Sequence, residues 1–410
     1  MNNPSVTQPA GNAVAGRRWA AALMGNFATP TIELVSGSGA VVTDADGNEY
    51  LDLLGGIAVN ALGYAHPAIV AAVSEQIARL PHVSNYFSDP PVIALAERLK
   101  EISGAGDSGR VLFTNSGTES NEAAFKLARL TGRPRIIATE NSFHGRTMGA
   151  LAMTGQPGKR DAFEPMPPGV EFVPFGDAAA LAAAVDRDPG SVAAFICEPI
   201  QGEAGVRLPQ PGYLADARRI TATAGALYVL DEVQTGIGRT GTWFAHQRAG
   251  ITPDVMTLAK GLGGGLPMGA VITYGAASTI FTPGSHGSTF AGNPVCAAAA
   301  LAVLDTIESE HLLDHVDALG KHITGAIEDL AHPLVAEVRG AGLLIGVQLT
   351  RPVARAVHDA ALQAGFLTNA AGADVLRLAP PLVVTQAQTD SFVAALPGIL
   401  DAAATTPLAR

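Results

Sequence analysis

One stretch of this sequence, residues 226–260, constrains the fold more than any other. It opens with an apolar run, residues 226–230, that is short and bounded by turn residues, which is typical of a buried strand. Two acids, Asp231 and Glu232, come directly after this run. Because a buried carboxylate requires a partner, an acidic pair at the end of a buried strand predicts a partner group beside that strand end.

A second apolar run, residues 255–259, leads to Lys260 and the glycine-rich segment 261–265. Most lysines are exposed, so the simplest interpretation of Lys260 is a solvated loop charge. In the alternative interpretation, Lys260 is a desolvated amine that bonds covalently to the carbonyl carbon of a cofactor. Asp231 would then pair with the ring nitrogen of pyridoxal phosphate (PLP) and keep it protonated.

Lys260 and the segment 231–236, DEVQTG, together resemble the core of the class III aminotransferases, which have the PLP-dependent transferase fold type I. The resemblance covers nearly the whole chain and is closest to the acetylornithine branch of that family. It implies an α/β fold: a mainly parallel sheet flanked by helices, with a smaller α+β domain formed by both termini. It also implies that Lys260 and Asp231 are the catalytic residues and that PLP is the cofactor.

The alternation of apolar runs and helical patterns over residues 111–260 predicts the same architecture. Strands that alternate with helices form a mainly parallel sheet covered on both faces, and such sheets bind ligands at the carboxyl ends of their strands. We expect a disordered start over residues 1–15 and an N-terminal segment of the small domain over 16–66. The large PLP-binding domain is expected over 67–308, and the C-terminal small domain over 309–410.

A phosphate site is predicted where the strand at residues 111–114 meets the following helix. Ser116, Gly117 and Thr118 form a tight polar turn there. Strand, turn and helix together present free backbone N–H groups and a helix dipole to an anion, and glycine permits close approach. The alternative is an ordinary capped helix, because serine and threonine are common N-cap residues. The acid and the lysine of the central stretch favour the phosphate.

Further site residues follow from the resemblance alone. It makes Phe143 the ring that stacks on the cofactor and Arg146 a clamp for a substrate carboxylate. Core packing and a surface ion pair are the respective alternatives for these two residues. The resemblance also places Glu203 near the substrate, and it makes Arg377 the group that receives the carboxylate of glutamate or 2-oxoglutarate. One departure is Ala204, because many family members have glycine at that position.

Three more residues complete the expected site. Gln234 is expected to contact the cofactor, and Ser288 is expected to contact the substrate. The resemblance makes Thr289 a residue that reaches the cofactor phosphate of the neighbouring subunit. The active unit is therefore expected to be a homodimer with shared active sites.

The resemblance implies transfer of the terminal amino group of N2-acetylornithine to 2-oxoglutarate. The products would be N-acetylglutamate 5-semialdehyde and glutamate, in a step of arginine biosynthesis. Succinyldiaminopimelate is a further expected donor. The ornithine and 4-aminobutyrate aminotransferases share these site residues and differ at the distal group of the substrate, so they remain alternatives.

A nicotinamide-dependent dehydrogenase is an alternative from another class of enzyme. Gly236, Gly238 and Gly241 match the dinucleotide fingerprint G-x-G-x-x-G by letter. However, the preceding strand ends at residue 230 and residues 242–244 do not open a helix, so the context of the fingerprint is missing. A protein that kept the fold and lost catalysis is the other alternative, since fold alone does not prove activity. The presence of the lysine, the acid and both arginines disfavours it.

The composition limits which classes of binding partner and which cellular compartment are expected for this protein. The formal net charge of −11 disfavours a nucleic-acid partner, and no apolar stretch approaches the roughly 18 residues of a membrane span. Cys197 and Cys296 form no CxxC motif, which favours a reducing compartment, so we expect a cytoplasmic protein. His311 and His315 could face a metal, but a solvated helix face is the simpler interpretation, and no metal is expected.

Overall fold

The computed structural model describes residues 11–405 of the chain. Three sheets organise this part of the molecule, and the largest of them has seven strands. The strands, in chain order, are β1 Leu34–Ser38, β2 Val41–Asp44, β3 Glu49–Asp52, β4 Arg110–Thr114, β5 Arg135–Thr139, β6 Val170–Val173, β7 Val192–Cys197, β8 Leu227–Asp231, β9 Val255–Leu258, β10 Gly269–Thr273, β11 Val335–Ala341, β12 Leu344–Leu349, β13 Phe366–Leu367, β14 Asn369–Ala370 and β15 Val375–Leu378.

The seven-stranded sheet has the strand order β4-β10-β9-β8-β7-β5-β6. Strands β9, β8, β7, β5 and β6 pair in parallel, whereas β10 pairs antiparallel with both β9 and β4. Every residue of β7, β9 and β10 is buried, as is typical of a sheet covered on both faces. The expected mainly parallel α/β sheet is confirmed, with one antiparallel strand inserted.

Most of the α-helices lie between these strands in sequence, whereas α1 precedes β1 and α13 follows β15. In chain order they are α1 Asn12–Ala22, α2 Gly55–Ala58, α3 Pro67–Arg79, α4 Pro90–Ser103, α5 Gly117–Leu130, α6 Met148–Ala152, α7 Pro157–Arg160, α8 Ala178–Asp186, α9 Tyr213–Ala224, α10 Pro294–Ser309, α11 Leu312–Asp329, α12 Ala354–Gln363 and α13 Gln386–Ala404. Short 3-10 helices lie at Asp161–Phe163, Pro189–Ser191, Ala245–Ala249, Lys260–Gly263 and Gly275–Thr279.

Alternate residues of the parallel strands point to opposite faces of the large sheet and form two apolar clusters. Ile136 and Ile196 pack with α5 on one face. Ile137 and Phe195 pack with α8 and α9 on the other face. This burial on both sides explains why the strands are continuous apolar runs in the sequence. Polar side chains of a site are consequently found at the strand ends.

Segments from both ends of the chain meet in one of the smaller sheets, which has the order β1-β2-β3-β13. Strand β13 pairs in parallel with β3, Phe366 opposite Leu51 and Leu367 opposite Asp52, and so extends the hairpin of β2 and β3. The third sheet has the order β11-β12-β15-β14 and packs against α11 and α12. A smaller α+β unit formed from both termini is therefore present. The domain boundaries at 66/67 and 308/309 stay a prediction.

The expected disordered start over residues 1–15 falls mostly outside the described part of the chain, which begins at residue 11. Helix α1 begins at Asn12 and therefore covers the last residues of that expected start. The Asn12 side chain provides the physical reason. Its Nδ2 donates to Asp44 Oδ2 (2.9 Å) and its Oδ1 accepts from the backbone N–H of Glu33 (2.7 Å), so this helix start is bonded to the N-terminal sheet and the segment that precedes it.

The glycine-rich segment after β8 is not followed by an α-helix. Residues 242–244 lead into the 3-10 helix at Ala245–Ala249. Glu232 holds this segment, because its carboxylate accepts from the Thr235 hydroxyl and from the backbone N–H groups of Ala245 and His246. The helix N-terminus that a dinucleotide pyrophosphate requires is therefore missing at this position.

None of the helices described in residues 11–405 is long and apolar enough to cross a membrane. Over the same residues, no group of three or more His, Cys, Asp or Glu side chains is arranged to hold a metal ion. His315 instead forms a hydrogen bond through Nε2 with the carbonyl oxygen of Val384 (2.9 Å). This contact joins α11 to the segment that precedes α13.

Candidate active site

A cavity of about 400 Å³ lies at the carboxyl ends of β8 and β9. Its walls come from the turns after β4 and β5 and from the segments after β7, β8 and β9. The predicted site residues that line it are Ser116, Gly117, Thr118, Phe143, Arg146, Glu203, Asp231, Gln234 and Lys260. Arg377 lies directly behind this lining, whereas Ser288 and Thr289 lie on an exposed loop.

The predicted phosphate turn joins β4 to the 14-residue helix α5. The helix begins at Gly117, so Gly117 and Thr118 of the predicted turn belong to its first turn, and Ser116 is its N-cap because its side chain accepts from the Glu119 N–H (3.3 Å). A Cβ on Gly117 would lie 2.7 Å from Val233 Cγ1, so only glycine fits this close approach. The first N–H groups of a helix have no intrahelical partner, and here those of Gly117 and Thr118 border the cavity. The turn therefore fits a phosphate group.

Asp231 is the last residue of β8, and three donors fix the orientation of its buried carboxylate. Its Oδ2 accepts from Asn121 Nδ2 (2.7 Å) and from His144 Nδ1 (2.7 Å), and its Oδ1 accepts from the Val233 backbone N–H (3.0 Å). Thr257 donates to Asn121 Oδ1 (2.8 Å), which turns the amide NH2 of Asn121 toward the acid. The carboxylate is thus preorganised at the cavity wall, as pairing with a ring nitrogen requires.

Glu198 is a second buried acid of the site to which the sequence assigned no defined role. Its Oε1 accepts from the Phe143 backbone N–H (3.0 Å) and its Oε2 from the Gly202 N–H (3.1 Å). Burial raises the pKa of Glu198, and the nearby His144 opposes that shift. The sequence signal was the same as for Asp231, an acid directly after a buried strand. Glu198 joins the turn that carries Phe143 to the segment that carries Glu203.

Lys260 follows β9 in the left-handed region of backbone conformation (φ 43°), which is strained for a residue with a side chain. The strand end is held at Leu258, whose carbonyl accepts from the Ser120 hydroxyl (3.0 Å). Burial lowers the pKa of the Lys260 amine to about 8; the Glu203 carboxylate opposes this shift and the Arg377 cation adds to it. An amine that is readily deprotonated supports the covalent interpretation over a solvated loop charge.

Arg377 of β15 is almost fully buried and pairs with the acid at the cavity wall. Its Nη1 donates to Glu203 Oε1 (2.7 Å) and to Gln234 Oε1 (3.2 Å). Its Nε has no hydrogen-bond partner in the described part of the chain. Burial raises the pKa of Glu203, but the charges of Arg377 and Lys260 outweigh burial, and the net shift is downward. Glu203 lines the cavity, whereas Arg377 is not among its lining residues.

The mouth of the cavity carries two cations beside an aromatic ring. Arg146 Cζ lies 5.8 Å from the centroid of the Phe143 ring, and Lys159 Nζ lies 4.8 Å from it. The Arg146 side chain is exposed, but its backbone is fixed because its N–H donates to Thr118 Oγ1 (3.0 Å). Lys159 was not predicted, since a lysine on the short helix α7 carries no sequence signal. A positive mouth favours an anionic group on the substrate.

Ser288 and Thr289 lie on the exposed loop between β10 and α10. Asn115 Nδ2 donates to Ser288 Oγ (3.0 Å), and Lys126 Nζ donates to the carbonyl of Ser285 (3.1 Å). These contacts hold the loop beside the phosphate turn. Neither predicted residue lines the cavity of its own chain.

Residues 25–400 match the protein family described as aminotransferase class-III. The chain belongs to this family. This class-III aminotransferase is 59% identical over 387 residues to the acetylornithine aminotransferase of Mycolicibacterium smegmatis, which covers 94% of this chain and 98% of that protein. It is also 59% identical over 390 residues to the acetylornithine aminotransferase of Streptomyces coelicolor, which covers 95% of this chain and 96% of that protein.

Solved structures share the architecture of this class-III aminotransferase. An ornithine aminotransferase from Toxoplasma gondii, which has PLP at partial occupancy in its active site, superposes with a TM-score of 0.89 at 32% identity, over 94% of this chain and 93% of that chain. An acetylornithine aminotransferase from Elizabethkingia anophelis superposes with a TM-score of 0.84 at 32% identity, over 95% and 98%. The interpretation as a dehydrogenase is therefore wrong.

Proposed function

We propose that this class-III aminotransferase moves the terminal amino group of N2-acetylornithine to 2-oxoglutarate. The products are N-acetylglutamate 5-semialdehyde and glutamate (EC 2.6.1.11), in a step of arginine biosynthesis. The ion pair of the half-buried Glu203 and the buried Arg377 near Lys260 carries this proposal, because it lets one site accept two dissimilar substrates. The identity of 59% to two acetylornithine aminotransferases supports the choice of donor.

PLP is the proposed cofactor, and the residues present fit each of its parts. The Lys260 amine would hold its aldehyde carbon, Asp231 would keep its ring nitrogen protonated, and the start of α5 would bind its phosphate. Phe143 supplies an aromatic face for its ring, and Gln234 lines the same cavity. When bound, PLP supplies an electron sink for the substrate carbon that loses a proton.

Lys260 is the group placed to move this proton. When it is not bonded to the cofactor, Lys260 would be a free amine inside the cavity. Its lowered pKa of about 8 lets Nζ accept a proton from the substrate carbon and return it as a general acid. Asp231 remains fixed by its three donors throughout, so the lysine is the mobile proton carrier of the site.

Glu203 explains how the site accepts substrates of different charge. The donor reacts at its terminal amine, so only methylene and amine groups approach Arg377 in the first half-reaction, and Glu203 masks the guanidinium. 2-Oxoglutarate brings an α-carboxylate to the same position and displaces Glu203. Arg377 can then bind that carboxylate with two donors, because its Nε has no partner among the described residues.

The far end of the donor lies at the mouth of the cavity. Arg146 is exposed there and is the proposed clamp for the α-carboxylate of the donor. Lys159 lies on the same aromatic ring and adds a second positive charge. Ser288 is the further proposed substrate contact, and it reaches a site only from a neighbouring subunit, because it lies outside the cavity of its own chain.

The active unit is proposed to be a homodimer with shared sites. Large apolar side chains are exposed on α3 and on the loop that follows it, among them Ile77, Tyr86 (93% exposed) and Phe87. Phe290, directly after Thr289, is also exposed. Asn85 Nδ2 donates to the carbonyl of Ala291 (2.9 Å), so the two loops adjoin, and adjoining exposed apolar side chains support an interaction surface. A second copy seated there brings Thr289 to the cofactor phosphate of its partner.

Subunit mixing tests the shared site. Lys260→Ala and Thr289→Arg should each be inactive as homodimers. A mixed dimer contains one site with both native residues, so mixing and refolding the two variants together should restore part of the activity. Light scattering measures the oligomeric state of each sample. A monomer that turns over, or no recovery after mixed dimers have formed, would contradict the shared site.

A cytoplasmic location is also proposed. Cys197 and Cys296 are both free thiols, which is the usual state of cysteines in a reducing compartment. Fractionation of the source cells should place the aminotransferase activity with the cytosolic marker enzymes. Activity that fractionates with an extracytoplasmic marker would contradict this location.

A donor panel tests the proposed activity. The PLP-loaded protein is assayed for glutamate formation from 2-oxoglutarate with N-acetylornithine, succinyldiaminopimelate, ornithine and 4-aminobutyrate. We expect the highest kcat/KM for N-acetylornithine, with Lys260→Ala as the inactive control. A higher kcat/KM for ornithine or 4-aminobutyrate would contradict the donor, and no turnover with any of the four would contradict the function.

A further inference from the structure

Two arginines flank a glycine in one row of the C-terminal sheet. Arg339 of β11 is the register partner of Gly346 in β12, and Gly346 is the register partner of Arg377 in β15. Directly opposite residues of antiparallel strands share a face of the sheet. Both arginine side chains therefore leave the sheet on the same side, on either side of a position without a side chain.

Arg339 bonds to the backbone of the segment 202–206, which carries Glu203. Its Nη2 donates to the carbonyl of Gly205 (2.8 Å), and its Nε donates to the carbonyl of Val206 (2.9 Å). Arg377 in the same row bonds to the Glu203 side chain. The two arginines thus bind the same segment, one through its backbone and the other through its carboxylate.

Gly346 provides the room for this contact. A Cβ at Gly346 would lie 3.0 Å from Val206 Cβ and 3.1 Å from the Gly205 carbonyl oxygen. These distances are shorter than ordinary contacts, so a side chain at this position would require the segment to shift by a few tenths of an ångström. The segment 202–206 therefore packs closely against the row formed by Arg339, Gly346 and Arg377.

The guanidinium of Arg339 is itself held in place. Glu337 Oε2 accepts from its Nη1 (2.8 Å), and Gln348 Oε1 accepts from its Nη2 (3.1 Å). The segment that it binds is strained, because Val206 is fully buried with a φ of 52°. A β-branched residue persists in that conformation only when its surroundings impose it. Arg339 and Gly346 are among the groups that do so.

We propose that Arg339 is a positioning residue that sets Glu203 against Arg377. By tying the segment 202–206 to the row that contains Arg377, it keeps the masking carboxylate in place during the donor half-reaction. This inference rests on the proposed function, in which Glu203 masks Arg377. Without Arg339 the strained segment relaxes, the pair weakens and the guanidinium stays open to carboxylates.

The test separates the two half-reactions in the PLP-loaded enzyme by stopped-flow absorbance. In Arg339→Met, the ratio of the rate constant kcat/KM for N-acetylornithine to that for glutamate should fall about tenfold, as for a coupling between residues in contact. Arg339→Lys keeps a hydrogen-bond donor, so its ratio should lie between those of the wild type and Arg339→Met. Arg351→Met is the matched control, because Arg351 also donates to a backbone carbonyl, that of Ala404 (2.8 Å), and should leave the ratio unchanged.

A double-mutant cycle distinguishes positioning from general support of the fold. If Arg339 acts through Glu203, Arg339→Met should change the ratio in the native background and leave it unchanged in Glu203→Ala. Equal loss of both half-reactions, or the same change of the ratio in both backgrounds, would overturn the proposal.

A second variant keeps the test decisive if Arg339→Met does not fold. Gly346→Ala leaves both arginines in place but shifts the segment 202–206 away from the sheet. It should therefore lower the ratio of kcat/KM for N-acetylornithine to that for glutamate. An unchanged ratio in a folded Gly346→Ala would overturn the proposal. A wild-type enzyme that fails to react with N-acetylornithine would overturn the proposed function and this inference together, whereas an active wild type with an unchanged variant ratio overturns this inference alone.

Discussion

Asp231 Oδ2 and His144 Nδ1 lie 2.7 Å apart, and both side chains are almost completely buried. A carboxylate only accepts hydrogen bonds, so Nδ1 of the imidazole carries the proton in this contact. Asn121 donates to the same oxygen (2.7 Å). The acid proposed to hold the cofactor ring nitrogen is therefore fixed by one residue of helix α5 and one residue of the turn that follows β5.

Replacement of the acid tests the electron sink. Asp231→Asn cannot hold the ring nitrogen protonated, so we expect kcat to fall by at least about 100-fold. The phosphate contacts should keep the cofactor bound, which is measured as PLP released per subunit on denaturation. A variant with near-normal kcat and full cofactor content would show that Asp231 does not have this role.

Loss of the His144 imidazole should also lower kcat, but by less than Asp231→Asn does. We expect His144→Ala to lower kcat about tenfold or more, since a hydrogen bond to a charged group contributes about 1.5–3 kcal/mol. His144→Asn can retain a donor near the position of Nδ1 and should recover part of the loss. Steady-state kinetics should give the highest kcat for the wild type, a lower one for His144→Asn and the lowest for His144→Ala. If both variants are as active as the wild type, the prediction is contradicted.

Removal of the lysine tests the covalent attachment. Lys260→Ala should abolish turnover and the absorbance of lysine-bound PLP, while the far-UV circular dichroism stays that of the wild type. Borohydride reduction of the wild type followed by peptide mass spectrometry should find the label on Lys260. A label on another lysine would mean that the attachment site is wrong.

The lowered pKa of Lys260 predicts how the protein takes up its cofactor. Burial lowers this pKa from 10.5 to about 8, so the neutral fraction of the amine rises about tenfold per pH unit below pH 8 and levels off above it. The rate constant for covalent capture of PLP by the apoenzyme should follow that fraction. Because Glu203 raises the lysine pKa, Glu203→Gln should move the midpoint to lower pH. A profile that is flat between pH 7 and 9 would contradict the assignment.

The strand ends of the site could be predicted from the sequence because a strand that is buried on both faces is a continuous apolar run. Apolar runs that stop at Asp231, Glu198 and Lys260 locate the carboxyl edge of a parallel sheet without any knowledge of contacts. Arg377 required the family resemblance, since an arginine in a short strand is not distinctive by itself.

Other features depend on contacts between distant parts of the chain and have no local signal. Asn121 and His144 meet Asp231 from positions 110 and 87 residues away. The direction of β10, antiparallel to both its neighbours, also could not be predicted, because a short apolar run does not encode which way its strand points. The same reason hides Arg339, whose role depends on the register of three strands.

Glu203 is proposed to mask Arg377 for the donor and to release it for 2-oxoglutarate, and stopped-flow measurement of the separate half-reactions distinguishes this role from a structural one. In Glu203→Ala, affinity for glutamate and 2-oxoglutarate should rise while kcat/KM for N-acetylornithine falls. Arg377→Ala should do the opposite and weaken 2-oxoglutarate binding by about 2–5 kcal/mol, because the carboxylate is left buried without its partner. If Glu203→Ala instead slows both half-reactions equally, Glu203 is structural and the masking account is contradicted.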